Sequence, residues 1–258
     1  MKYIISLLEF KPLKRMLFLF AILFINSAVA KDFLIGVEEV SYYPLYDFSS
    51  SNENKASFTK EVLSTFFEHK NYRYKFVPLP IKRFDKWYIE QNIDFKFPDN
   101  FRWRHDKENK LNITFSESVV KLMAGTYVLK ANENFYRDDV QKLGTIMGFS
   151  PTLWEDKLSN KDFKLVEESA PISLIKHLIY QNIDGVNIDP NVIEYNLKRL
   201  SANTEVVLNQ NIHHEIFSYH LSSIKHPEII QEFNDFLKEN AELVSQMKIK
   251  YGIKEDFQ

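Results

Sequence analysis

The 258-residue chain contains no cysteine, which excludes disulfides, thiolate metal sites and a cysteine nucleophile. Its core has to hold by burial alone. It also lacks a surplus of positive charge, with 33 Lys and Arg against 35 Asp and Glu. Lys2, Lys11, Lys14, Arg15 and Glu9 fall within the first thirty residues, leaving 29 basic against 34 acidic residues beyond them and a formal charge of −5. No strongly basic surface follows, so nucleic acid is not an expected partner. The stretch from Gly144 to Gly148 matches neither Gly-x-Gly-x-x-Gly nor a phosphate-binding loop, and neither a Gly-x-Ser-x-Gly elbow nor a His-Glu-x-x-His run occurs. No cofactor is expected. Repeats, low-complexity tracts and long linkers are missing as well.

What is present is an ordinary globular composition, 45% hydrophobic and 26% charged, with 22 Phe and 13 Tyr. That suits a Phe-rich core with rings left over to line a cleft. At the N-terminus, Lys11, Lys14 and Arg15 precede an apolar run from Met16 to Ile25, and Ala28-Val29-Ala30 then gives a small-x-small cleavage pattern. The run is half of the roughly twenty residues that a membrane span needs. Residues 1–30 therefore read as a cleavable signal peptide. No cysteine follows to carry a lipid, so the mature chain is expected to be soluble in the periplasm.

Along the mature chain, Phe33 to Val37 reads as a buried strand, and Phe58, Val62, Leu63, Phe66 and Phe67 share one helical stripe. Tyr72, Tyr74 and Phe76 alternate as a strand does. Phe84, Trp87 and Tyr88 suggest a short helix leading to a strand near Asp94. This alternation is that of an α/β fold with parallel strands. After the polar stretch 98–110, Ala124 to Leu129 reads as a strand entering a second βα series. Leu143 to Met147 is strand-like, and Ser150 is placed to cap a helix with Pro151 at its first position. A helical face over 172–179, a strand over 183–188, a helix over 192–200 and a strand over 216–221 follow. Pro227 opens a helical end that stops at Gly252.

Several short motifs, in this order, resemble those of the family 3 extracellular solute-binding proteins, which include the polar-amino-acid receptors of ABC transporters. Tyr43-Pro44-Leu45-Tyr46 is similar to the family's Tyr-Pro-Pro-Phe loop, and Phe115-Ser116-Glu117-Ser118 to its Phe-Ser-x-Pro-Tyr segment. Asp184 to Asp189 is similar to its Asp-Ala-x-x-x-Asp, and Lys250-Tyr251-Gly252 to its ending. The resemblance implies a two-lobed type 2 periplasmic-binding-protein fold, each lobe a mainly parallel sheet flanked by helices. Lobe 1 would be 31–124 plus 216–258, and lobe 2 would be 125–215. It further implies that Tyr43 stacks on a small polar or zwitterionic, amino-acid-like ligand, with Asp99 and Asn100 reaching it. Ser150 would accept an anionic group and Asp189 would take an ammonium. The expected molecule is a monomer that captures solute for a membrane importer or sensor. The enzymatic alternative on this scaffold is a dehydratase or a cell-wall lytic enzyme using Asp99 or Asp189. The family's receptors carry an Arg six residues before Phe-Ser to hold the ligand carboxylate, where this chain has Asn109. Arg102, Arg104 or Lys107 would substitute by a different loop path.

Other residues keep two readings. Arg83 either clamps a carboxylate in the cleft or is a solvated helix-start charge. Trp103 either walls the ligand or packs in the core, and Asp189 is also well placed as a helix cap. His213 and His214 are neighbours that a strand would turn to opposite faces, so no metal site is expected. Glu38-Glu39 and Glu167-Glu168 read as solvated or capping charges. The mature protein is expected to begin at Lys31. N-terminal sequencing of the periplasmic product checks this, and an uncleaved Met1 would refute it.

Overall fold

The computed structural model describes residues 32–52, 55–103 and 111–257, so the expected signal peptide at 1–30 lies outside the described residues. The apolar run at the start forms β1 (Phe33–Glu38), buried over its last four residues. A tight hairpin follows, β2 (Ser41–Tyr42) and β3 (Tyr46–Asp47). In α1 (Phe58–His69) the expected stripe of Phe58, Val62, Leu63, Phe66 and Phe67 is the buried face. β4 (Tyr74–Leu79) lies parallel to β1 along its whole length. A 3-10 segment, Ile81–Lys86, leads into the single turn α2 (Trp87–Glu90), and β5 (Phe95–Asp99) joins the other side of β1, again parallel.

Past β5 come the short β6 (Thr114–Phe115) and then β7 (Val120–Ala124), after which the chain builds a second sheet. Its strands are β8 (Tyr127–Leu129), β9 (Lys142–Ile146), β10 (Lys164–Glu168), β11 (Gly185–Val186) and β12 (Val206–Leu208). The order is β10-β9-β11-β8-β12, with β9, β10 and β11 parallel and β8 and β12 antiparallel. α3 (Pro171–Ile179) and α4 (Pro190–Arg199) flank it, each opening on the proline that best tolerates a first helical turn. β10 and β12 have no counterpart in the sequence reading. The strand expected over 183–188 pairs only at Gly185 and Val186.

β13 (Glu215–Ser223) then returns to the first sheet, whose order is β4-β1-β5-β13-β6, with β7 also on β13. α5 (Pro227–Glu239) and α6 (Ala241–Tyr251) close the chain, and α6 ends at Gly252 in the left-handed conformation, φ +68°. β7 and β13 pair antiparallel from Val120 opposite Tyr219 to Ala124 opposite Glu215, so the two passages between sheets form one ribbon. Gly125 follows directly. A Cβ there would sit 2.4 Å from Leu208 Cδ1 and 3.2 Å from His214 Cβ, so any larger residue would require Leu208 to shift and His214 to give.

The helix expected at Pro151 is a correction. Thr152–Lys157 is 3-10, and Ser150 makes no side-chain cap. The cause is Trp154, which is fully buried, stacks on Phe163 at 5.2 Å and donates its indole N–H to Thr126 Oγ1 at 3.0 Å. Seating that ring tightens the turn, with the Trp154 N–H bonded to Pro151 O. The chain end is also anchored. Lys254 N–H donates to Asn191 Oδ1 at 2.8 Å, Asn191 Nδ2 donates to Lys254 O at 3.1 Å, and Lys254 Nζ reaches Glu194 at 2.9 Å. These bonds tie the segment after α6 to the start of α4.

Phe66 sits at the centre of the first sheet's helical layer, with its ring 4.9 Å from Phe233, 5.6 Å from Phe236 and 5.1 Å from Phe67. Phe66→Ala is expected to cost roughly 3–5 kcal/mol of unfolding free energy. Urea denaturation checks this. A loss under about 1 kcal/mol would mean that α1, α5 and α6 do not share one core.

Candidate functional site

A cavity of about 400 Å³ lies where the parallel strands of both sheets end, the place where open α/β sheets collect ligands. Glu38 stands at the end of β1, Tyr42 lies in β2, and Lys82 and Phe84 follow β4. From the second sheet come Gly148 to Ser150 after β9 and Asn187 to Asp189 after β11. The ribbon contributes Leu122 and Met123 from β7 and Phe217 and Tyr219 from β13. Gly148 adopts φ +91°, and its Cβ position lies 3.1 Å from Ile81 Cβ, so the two sides touch at the rim. Lys82 and Glu167 add an exposed ion pair at 3.7 Å, the kind that contributes under about 1 kcal/mol.

Glu38 is buried, with its carboxylate accepting the Tyr46 hydroxyl. Burial raises its pKa to about 8, against the opposing effects of that hydrogen bond and of the Lys96 charge. The expected solvated pair Glu38-Glu39 is thereby corrected, because β1 turns Glu38 inward and leaves only Glu39 exposed. Behind Glu38, Lys96 is wholly buried, donating to Phe84 O at 2.9 Å with its ammonium 3.5 Å from the Phe84 ring centroid.

Across the cavity, Asp189 caps α4. Its Oδ1 accepts from Asn191 N at 2.8 Å and from Asn191 Nδ2 at 2.9 Å, and its Oδ2 accepts weakly from Met123 N at 3.4 Å. Burial lifts its pKa to about 7 despite those donors. The Asp189 amide donates to the Tyr42 hydroxyl at 2.6 Å, and the Tyr42 ring lies 5.3 Å from that of Phe149. Tyr42 thus spans the cavity from one sheet to the other.

Of the residues expected at the site, Trp103, Ser150 and Asp189 line this cavity, and Asp189 is both wall and cap. Tyr43 does not. In β2 and its turn Tyr42 faces in, while Tyr43 packs on Tyr195 at 4.4 Å and under the Lys55 ammonium. Arg83 lies outside, exposed and paired with Glu90. Asp99 and Asn100 are buried beneath the floor, where Asp99 accepts from Ser222 and the Asn100 amide, and Asn100 Nδ2 donates to Ser218 O at 2.6 Å. Both are used in joining β5 to β13. Arg104, Lys107 and Asn109 lie outside the described residues. Arg102 does line the cavity, held by Glu215. Glu38, Tyr42, Phe149 and Tyr219 escaped the sequence reading. The one signal for Tyr42 was the period-two alternation through Tyr42 and Tyr43. Among the described residues, no three His, Cys, Asp or Glu side chains converge as metal ligands.

No protein-family model and no curated protein sequence matches the chain. Solved structures do. The substrate-binding protein of an ABC uptake transporter from Streptococcus pneumoniae, with bound histidine, superposes with a TM-score of 0.66 at 16% identity, covering 85% of this chain and 92% of that one. The GluR0 ligand-binding core from Nostoc punctiforme, in complex with L-glutamate, gives 0.65 at 13% identity, covering 86% and 100%. The ancestral amino-acid-binding protein AncCDT-1, a precursor of cyclohexadienyl dehydratase, gives 0.62 at 15% identity, covering 85% and 95%. These likenesses show the two-lobed type 2 periplasmic-binding-protein fold expected from the sequence. The same fold serves a transporter's binding protein, a receptor core and an enzyme's precursor, so function rests on the site's own chemistry.

Because Glu38 keeps its proton up to about pH 8 in the fold but loses it near 4.5 when unfolded, the folded state binds the extra proton between those values. Its contribution to stability is fully present below about 4.5 and is lost as pH rises through about 8. Glu38→Gln, which keeps an acceptor for Tyr46 without a charge, should flatten the fall in melting temperature between pH 5 and 9. Parallel melting curves for the two proteins would remove the buried neutral carboxyl from the account.

Proposed function

We propose that this chain is exported to the periplasm and captures a small polar or zwitterionic, amino-acid-like solute between two lobes, 31–124 plus 216–258 and 125–215. It would present that solute to a membrane importer or sensor. The observation carrying this reading is the cavity of about 400 Å³, lined from both sheets and bridged by the Tyr42–Asp189 contact. Its size falls in the range of small-molecule sites, and its mixture of rings with a few converging polar groups is their usual chemistry. No helix among the described residues is long and apolar enough to cross a membrane, which accords with a soluble mature domain.

A second reading, an enzyme on the same scaffold, draws on the two carboxyls whose pKa values of about 8 and about 7 suit proton transfer near neutrality. The capture reading is favoured because those carboxyls already accept hydrogen bonds from Tyr46, Asn191 and Met123, which hold them in place as walls.

Calorimetric titration with arginine, histidine and glutamate, beside thermal melts, tests the proposal. At least one solute should stabilise the protein without being consumed. Asp189→Asn should weaken its binding by thirtyfold or more, the roughly 2–5 kcal/mol typical of breaking a buried charged pair. The free protein's stability should change by less than about 1 kcal/mol, because Asn caps helices about as well as Asp. Turnover of the solute would favour the enzyme, and equal affinities in both proteins would take Asp189 out of ligand recognition.

A further inference from the structure

Six aromatic rings, those of Tyr42, Phe84, Trp103, Phe149, Phe217 and Tyr219, line the cavity. Phe84, Trp103 and Tyr219 run as one wall, with centroids 5.6 Å apart at each step, and Phe217 adjoins Tyr219 at 5.7 Å. Tyr42 and Phe149 form a second pair, meeting edge to face at 5.3 Å with their planes 65° apart. Aromatic faces carry negative quadrupole charge and attract cations that have shed their water. The wall already does so from behind, where the Lys96 ammonium sits 3.5 Å from the Phe84 centroid.

The charges around these rings point the same way. Among the described lining residues, Asp85 and Glu155 are acidic, Glu38 and Asp189 are pushed by burial toward their neutral forms, and only Lys82 and Arg102 are basic. Both basic groups already hold carboxylates, Lys82 that of Glu167 and Arg102 that of Glu215. An incoming carboxylate would have to displace one of them, whereas an incoming cation meets Asp85 and Glu155. The buried acceptors are also engaged. Asp189 receives Asn191 and Met123, and Glu38 receives Tyr46. A primary ammonium, with three N–H donors to satisfy, would have to share acceptors that already hold donors, while a fully alkylated ammonium has none to satisfy.

We infer that the cavity takes a compact organic cation by its fully alkylated ammonium group, seated between the Tyr42–Phe149 pair and the Phe84–Trp103–Tyr219 wall. This rests on the capture reading above and names the class of solute captured.

Calorimetric titration of the full chain with tetramethylammonium, choline, glycine betaine, arginine and histidine tests the inference. Tetramethylammonium and choline should bind and compete for one site. Trp103→Leu should weaken both by roughly tenfold or more, the scale of a desolvated cation–aromatic contact, while Trp103→Phe, which keeps a face, should stay within a few-fold. Melting curves without ligand control for folding, and Phe149→Leu serves as the second variant if Trp103→Leu does not fold. Binding of arginine or histidine without either alkylammonium ion would overturn the inference and leave capture standing. Unchanged affinities in both leucine variants would overturn it too. Failure of all five solutes to bind would overturn it as well, and failure of glutamate beside them would overturn the capture reading.

Discussion

The pairing of β7 with β13 is the constraint on which the rest depends. Each strand is a passage between sheets, one outbound and one returning, and the five register pairs from Val120–Tyr219 to Ala124–Glu215 lock them side by side. The chain therefore cannot place its second sheet just anywhere. It must start at Gly125 and finish at Glu215, next to its own starting point. With the carboxyl ends of both parallel sets turned toward the ribbon, the loops after β1, β4, β9 and β11 have no course but to face one another. The cavity follows from this arrangement, and its floor residues, Leu122, Met123, Phe217 and Tyr219, belong to the two strands that impose it.

Burial and charge are coupled at both ends of that cavity. Glu38 and Asp189 are drawn out of water, and both are pushed toward their neutral forms by the loss of hydration. The surrounding tyrosines respond in the same direction. Tyr42, Tyr46 and Tyr219 are held well above the usual phenol value by burial first, and next by Asp189 at Tyr42, by Glu38 at Tyr46 and by the Tyr42 phenol at Tyr219. They remain donors and acceptors of hydrogen bonds throughout the physiological range. The result is a lining whose polar groups are fixed by one another before any solute arrives.

Much of the architecture was legible because it follows periodicity. The α1 stripe, the helical face over 172–179, the helix read over 192–200, the helix opened by Pro227 and the stop at Gly252 all appear within two residues of where spacing and end chemistry put them. What escaped has physical reasons. β10, Lys-Leu-Val-Glu-Glu, is an edge strand with its charges outward, so no apolar run marks it. The segment after Pro151 carries helix-compatible residues, yet a single buried tryptophan fixes it as 3-10. In the site, a one-residue offset separated Tyr43 from Tyr42, and neighbours on an extended chain face opposite ways. Asp99 and Asn100 were read as reaching the ligand, but both are buried outside the cavity lining. Their partners, Ser222 and Ser218, lie more than a hundred residues away on β13, a contact that no local pattern carries.

The bonds between Lys254 and Asn191 have a bearing on movement. Asn191 grips Asp189 with the same amide nitrogen that holds Lys254 O, so the chain's last turn, the cap of α4 and the cavity wall form one continuous hydrogen-bonded run. Moving that wall away from the segment after α6 would break the Asn191–Lys254 bonds. How freely the wall can move is then set by a clasp that lies outside the cavity lining.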